Sequence, residues 1–164
     1  MSKNVLVIGT GTIGEPLIGL LAEHKESLGL DKVIFFKRTP LSEERGKVEA
    51  LLRKGAEIVS TNDALSEFHQ LGFNEIKDVE LAYEQSDVII DCTPSGNDNW
   101  EKIYSSLSQD KRFMAQGSEH GFGPFFAWGI NNEILKDESN KFLIASCNTH
   151  NIASIVKAFA LDQQ

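Results

Sequence analysis

Short, nearly continuous apolar runs alternate along this chain with longer stretches in which apolar residues recur every three or four positions. The runs are residues 4–8 (NVLVI), 33–37 (VIFFK), 88–91 (VIID), 112–115 (RFMA) and 142–145 (FLIA). Runs with little polar alternation predict parallel strands covered on both faces. The periodic stretches predict helices over 13 to about 28, 42–54, 63–71, 79–85 and 99–107, with Ser42-Glu43-Glu44 offering an N-cap and an acidic first turn. Strand–helix alternation of this kind predicts an α/β, Rossmann-type doubly wound sheet, mostly parallel, with helices on both faces. Glycines and aromatics obscure the period over 117–140, where one further strand is expected near 125–128. Of the three aromatics in GPFFAWG (123–129), at least two are expected to pack in the core, although an exposed patch is the alternative.

The first run flows into Gly9-Thr10-Gly11-Thr12-Ile13-Gly14, a G-x-G-x-x-G loop placed between a strand and a helix. In that setting each glycine has a task. Gly9 permits the tight turn, Gly11 lets backbone N–H groups approach a pyrophosphate, and Gly14 allows close helix–sheet packing. The helix start then presents unpaired donors to an anion. A tight turn without a ligand is the competing reading.

The second strand ends in Lys37-Arg38-Thr39, where an NAD site usually carries Asp or Glu for the ribose 2′-hydroxyl. Two cations and a hydroxyl suit a 2′-phosphate, and no carboxylate stands in that stretch to repel it. NADP is therefore the preferred coenzyme, with NAD also open. Solvated strand-end charges are the alternative for Lys37 and Arg38.

Composition narrows the partners. At 164 residues one domain is expected, and a formal net charge of −8 with a pI near 5.0 argues against nucleic acid. No apolar run approaches the ~20 residues of a membrane helix, and the N-terminal run reads as a first strand instead of a secretory signal. Two cysteines form no disulfide framework, so a reducing cytoplasm is the simplest expectation.

The last apolar run ends in Ser146-Cys147-Asn148-Thr149-His150, just before a helical pattern in which Ile152, Ile155, Val156 and Phe159 share a face. A thiol at a helix start meets the positive end of the helix, which favours the nucleophilic thiolate. Asn148 and Thr149 can cap that helix or donate to an oxyanion or phosphate. The plain alternative is a small hydrophobe beside an N-cap. Cys92, inside its strand, reads as core. Thr93-Pro94-Ser95-Gly96 and Gln116-Gly117-Ser118 follow strand carboxyl ends, where open α/β sheets bind ligands. His24 and His69 read as solvated, His120 lies in a loop that could approach the site, and no spacing suggests a zinc site.

Together these segments resemble glyceraldehyde-3-phosphate dehydrogenase of the archaeal type, over nearly the whole chain. GTGTIG looks like that family's cofactor loop, KRTP like its NADP-tolerant strand end, DVIIDCTPSG and FMAQGSEH like its later turns, and ASCNTH like its nucleophile motif. The resemblance implies Cys147 as nucleophile, with Ser146, Asn148 and Thr149 lining the substrate or phosphate pocket. It also implies Thr12, Ile13 and Gly117 at the dinucleotide. The implied reaction is attack of the thiolate on glyceraldehyde 3-phosphate, oxidation of the adduct, and release of the thioester by inorganic phosphate as 1,3-bisphosphoglycerate. A homo-oligomer is implied for the full-length protein.

Two departures qualify this. His150-Asn151 stand where the family motif continues threonine–glycine, so His150 could crowd the phosphate pocket, add charge there or be harmless. The family's general-base histidine lies in a second domain beyond this point. The expected organisation is thus a dinucleotide-binding domain over 1–146, with 147–164 holding the nucleophile and the start of a helix leading to an absent catalytic domain. Alternatives are another cysteine-dependent semialdehyde or acyl-phosphate reductase, and a non-enzymatic nucleotide-binding or redox-sensing domain.

Overall fold

Val5 and Val7 face one side of the first strand, Leu6 and Ile8 the other, and all are buried. A strand whose alternate residues are apolar on both faces must be covered on both. The computed structural model describes residues 3–40, 42–116, 121–136 and 138–161. In chain order they form β1 (Lys3–Ile8), α1 (Gly14–Glu23), β2 (Leu30–Phe36), α2 (Arg45–Arg53), β3 (Glu57–Ser60), α3 (Leu65–Gln70), β4 (Lys77–Asp78) and α4 (Val79–Gln85). There follow β5 (Val88–Asp91), α5 (Asn99–Lys102), β6 (Arg112–Gln116), β7 (Phe125–Phe126), β8 (Lys141–Ile144) and α6 (Cys147–Val156).

The eight strands form one sheet in the order β4-β3-β2-β1-β5-β6-β8-β7, and every ladder is parallel. Winding runs outward from β1 to β4, then restarts on the other side of β1 with β5. The reversal between β1 and β5 is the topological switch point, beside which open α/β sheets bind ligands. This is the doubly wound, Rossmann-type α/β fold expected from the alternation.

Two cores follow from the strand pleat. On one face Val5, Val7, Val33 and Phe35 pack with Ile18 and Ala22 of α1, Val48 and Leu51 of α2 and Phe68 of α3. On the other Leu6, Ile8, Ile34 and Ile89 pack with Val79, Ala82 and Tyr83 of α4 and with Tyr104 and Phe113. Tyr104 stacks on Phe113 at 5.6 Å, and Trp100 meets Phe113 edge-on at 5.3 Å. Offset and edge-on pairs of this kind add about 0.5–1.5 kcal/mol beyond burial.

Several boundaries differ from expectation. The first helix stops at Glu23 and not near residue 28: His24 leaves helical geometry (φ −102°, ψ 15°), and the chain then turns through Gly29 in the left-handed region (φ 66°), with Leu30 N–H donating to Lys25 O at 2.9 Å. The second begins with a single 3-10 turn at Ser42–Glu44, so α2's N-cap is Glu44, whose side chain makes no cap bond. Strands β3 and β4 were not foreseen. The first is four residues long with charged Glu57 at its start, the second only two, so neither builds a recognisable apolar run.

The tightest joint lies where β1 hands over to α1. An added Cβ on Gly14 would stand 1.9 Å from Gly9 O, whereas one on Gly11 would meet nothing within 4 Å. Gly14→Ala is expected to cost about 3 kcal/mol or more. Gly11→Ala should stay within about 0.5 kcal/mol. Urea denaturation of both variants checks the contrast.

At the opposite edge Asp87 accepts hydrogen bonds from Asn4 N–H and Lys3 Nζ, each at 2.9 Å. The Asn4 backbone bond, then the Lys3 bond, hold its carboxyl below the usual carboxylate range. A folded-state pKa below the unfolded one gives stability that is present above the unfolded pKa and lost as pH falls through the folded one. With the side chain 36% exposed, screening limits Asp87→Asn to about 0.5–1 kcal/mol at neutral pH. Denaturation at pH 7 and at successively lower pH, where the difference should shrink as the carboxyl protonates, tests this.

Candidate functional site

All strands being parallel, their carboxyl ends share one edge of the sheet, and a cleft of about 550 Å³ opens there. It gathers Gly9 from the end of β1, Lys37, Arg38 and Thr39 from beyond β2, and Thr93 and Pro94 from beyond β5. Residues far apart in sequence thus meet because three adjacent strands end together. A larger groove of about 740 Å³ lies beside β3 and β4, lined by residues such as Glu57 and Lys77. It is away from the switch point, so the smaller cleft is the candidate site.

Above the cleft, α1 begins without a side-chain cap, since Ile13 occupies the N-cap position and supplies no acceptor. The first helical turn closes with Glu15 N–H donating to Gly11 O at 3.0 Å. Leu17 N–H donates to Ile13 O at 3.2 Å and Pro16 has no N–H, so Gly14 N–H is the first-turn donor left without a partner among the described residues, at the positive end of the helix dipole. Gly11, Thr12 and Ile13 are exposed, and the space beside Gly11 is open. An anion fits that opening. A Cβ on Gly9, at φ 98°, would come within 3.1–3.3 Å of the backbone of Cys92 and Thr93, so the turns after β1 and β5 pass close to one another.

The end of β2 departs from expectation. Lys37 is 8% exposed, and its ammonium is bonded to the carboxylate of Glu44. A carboxylate therefore does stand at this strand end, carried there by the 3-10 turn before α2. No local pattern in KRTP could reveal it. Arg38 and Thr39 are exposed, and Arg38 makes no ion pair among the described residues. Beside this pair, Lys47 Nζ lies 3.4 Å from Glu15 of α1.

A buried carboxylate organises the turn after β5. Asp91 Oδ1 accepts from Thr93 N–H at 2.8 Å and from Thr93 Oγ1 at 2.7 Å. Its Oδ2 accepts from Asn99 Nδ2 at 2.7 Å and Tyr104 OH at 2.9 Å. A buried charge needs partners of this kind, and four donors supply them. Sequence reasoning missed Asp91, Asn99 and Tyr104; the signal was an aspartate closing an apolar run. Burial, then the charge of Asp91, pushes the Cys92 thiol up to about 12, which suits the core role expected for it. Burial, followed by Glu80 and Asp91, pushes the Tyr83 phenol up to about 12. Tyr83 also lines the cleft, and its hydroxyl has no hydrogen-bond partner among the described residues.

Cys147 is the first residue of α6 and is exposed. Ser146 caps the helix, its Oγ accepting from Thr149 N–H at 3.2 Å and lying 2.9 Å from Thr149 Oγ1. Ser146 and Thr149 are thereby engaged with each other, whereas Asn148 is exposed. None of these residues lines the cleft. They sit on the same edge beyond β8, which lies three strand spacings from β1, roughly 14 Å. His150 turns away toward the β7 side, its Nε2 lying 2.9 Å from Trp128 O, and Lys157 Nζ donates to Gly129 O at 2.8 Å. Gly117, expected at the dinucleotide, and His120 lie outside the described residues.

No residue of α6 is buried. Ile152, Ile155, Val156 and Phe159 are 48–74% exposed and form one apolar stripe. Phe125 and Trp128 are also exposed, at 53% and 69%, so the expectation that two of the three GPFFAWG aromatics pack in the core is wrong. Strand β7 is a two-residue edge strand, and it leaves those side chains outside the layers that cover the central strands.

No family model matches the chain. Among curated proteins it is 27% identical over 159 residues to glyceraldehyde-3-phosphate dehydrogenase of Pyrobaculum calidifontis, covering 95% of this chain and 44% of that protein. It is 26% identical over 154 residues to the enzyme of the same name from Sulfolobus acidocaldarius, covering 93% and 42%. Among solved structures it is similar to aspartate semialdehyde dehydrogenase II of Vibrio cholerae, with a TM-score of 0.56 and 13% identity over 96% of this chain and 46% of that one. Glucose dehydrogenase of Haloferax mediterranei, in complex with NADP, zinc and gluconolactone, gives a TM-score of 0.51 at 15% identity, over 96% and 41%. The chain thus spans less than half the length of these relatives, and it shares the fold of dehydrogenase domains.

Proposed function

We propose that this chain is the coenzyme-binding half of an NAD(P)-dependent phosphorylating aldehyde dehydrogenase acting on glyceraldehyde 3-phosphate, with Cys147 as nucleophile. The observation that carries the reading is the uncapped start of α1 opening beside a cleft at the switch point of a parallel sheet. Similarity to glyceraldehyde-3-phosphate dehydrogenases over 95% of the chain supports the same reading.

The residues fit a nicotinamide dinucleotide. The Gly14 N–H, with the loop N–H groups just ahead of it, would hold the pyrophosphate beside Gly11, and Arg38 with Thr39 would meet a 2′-phosphate, which favours NADP over NAD. Thr93, fixed by Asp91, and Pro94 beside it would support the coenzyme near the switch point. When bound, the coenzyme supplies a hydride acceptor.

The chain's own contribution is the sulfur and its setting. Cys147 Sγ adds to the aldehyde carbon, whose oxygen becomes the hydroxyl of a hemithioacetal once it takes up a proton. After two-electron oxidation of that adduct, phosphate oxygen attacks the thioester carbon, the C–S bond breaks and the thiolate returns. Asn148 is free to face the substrate. A proton acceptor within hydrogen-bond reach is worth on the order of 10²–10⁴ in rate. His150 does not serve here, since its Nε2 faces Trp128 O. The exposed stripe on α6 with Trp128 is the surface a catalytic domain bearing that base would cover.

Two measurements test the proposal. The purified chain should bind NADP+ and NAD+ yet reduce them with glyceraldehyde 3-phosphate and phosphate about 10²-fold or more below a complete enzyme. Turnover at a full enzyme's rate, or no affinity for either coenzyme, counts against it. Separately, iodoacetamide at pH 8 should modify exposed Cys147 in the native chain and leave Cys92 unlabelled, because burial holds the Cys92 thiol near 12. Peptide mass spectrometry reads the outcome, and labelling of Cys92 first would reverse the assignment of roles.

A further inference from the structure

Lys37 is the only lysine of the described residues buried to this degree, and it stands at the end of β2 on the rim of the cleft. Its ammonium does not face the opening unaccompanied. Glu44, from the 3-10 turn ahead of α2, bonds it directly. Thr10 of the glycine loop, Glu15 of α1, Lys47 and Val48 of α2 enclose the same small pocket. Lys47 lies 3.4 Å from Glu15, so the pocket holds two lysines and two glutamates that balance.

We infer that Glu44 sets coenzyme choice: by holding the Lys37 ammonium it withholds the buried cation of the β2 end from a ribose 2′-phosphate and keeps NAD within reach of the site. The inference rests on the dinucleotide reading above and adds to it a residue outside the loop motif. A 2′-phosphate brings about two negative charges to the edge of this pocket. With Glu44 present, Lys37 is already neutralised, and Arg38, which makes no ion pair among the described residues, is the cation left to favour NADP. Without the Glu44 charge, the Lys37 ammonium is a desolvated donor whose natural partner is the phosphate, and charge-assisted bonds to phosphate are the stronger kind. Without Lys37, the Glu44 carboxylate repels the same group. Coenzyme choice therefore depends on the pair and not on the KRTP residues alone.

The test is calorimetric titration of the whole chain with NADP+ and with NAD+, read as the ratio of the two affinities. These coenzymes differ only at the 2′ position, so general damage to the fold cancels from the ratio. Glu44→Gln should raise the NADP+ to NAD+ ratio on the order of tenfold. Lys37→Met should lower it by a similar factor, and the double variant should return it to within about twofold of the parent. Glu44→Asp, which keeps the charge but shortens the reach, guards against a poorly folded Gln variant and should give an intermediate ratio. If both coenzymes bind but Glu44→Gln leaves the ratio unchanged, or the double variant keeps the gain, the inference is overturned alone. If neither coenzyme binds the parent or any variant, the dinucleotide reading falls and this inference with it.

Discussion

The carbonyl oxygen of Gly9 occupies the place a side chain on residue 14 would need, and the ligand-facing edge is built around that approach. With 1.9 Å between the oxygen and an added Cβ, only glycine lets α1 start so close to the end of β1. A Cβ added to Gly9 would likewise stand 3.1–3.3 Å from the backbone of Cys92 and Thr93, so the ends of the first and fifth strands lie close together. Three segments distant in sequence are so held in one place: the first strand, the helix that leaves it and the turn beyond the fifth strand. Moving the helix out by one methyl group would carry the Gly14 N–H at its start away from the neighbouring strand ends.

Asp91 supports the same joint from below. Its four donors come from Thr93, Asn99 and Tyr104, and Tyr104 also stacks in the second core. The polar turn at the cleft is thus fastened to an aromatic cluster deep under the sheet. Packing on that face and geometry at the mouth are one system, because a buried carboxylate that loses a donor bears a desolvation cost. The far end of the edge is built differently. Helix α6 is capped by Ser146 and moored through His150 and Lys157 to the Trp128–Gly129 segment, and none of its residues is buried.

Legibility in the sequence followed the range of the interaction involved. Strands over 4–8, 88–91 and 112–115 were readable because burial on both faces demands unbroken apolar runs. The glycine loop was readable because its contacts lie within six residues. Helix ends were less so: α1 stops at Glu23, ahead of the turn through Gly29, although the apolar period continues to Leu28. Strands β3 and β4 hid behind brevity. The exposed Phe125 and Trp128 defeated the rule that aromatics go inside, since nothing local distinguishes a core strand from a two-residue edge strand.

The sequence by itself determined the layered α/β architecture, the glycine-lined joint and the cysteine at a helix start, all set by spacing along the chain and by short-range sterics. Tertiary structure alone decided which charges meet. Glu44 reaches Lys37 across a loop, and Asp91 collects donors from three residues downstream. Pairings of that sort depend on where two separate backbones come to rest, and the strength of a buried charge depends on how much water the fold removes around it. Composition records the charges, but only the folded chain assigns their partners.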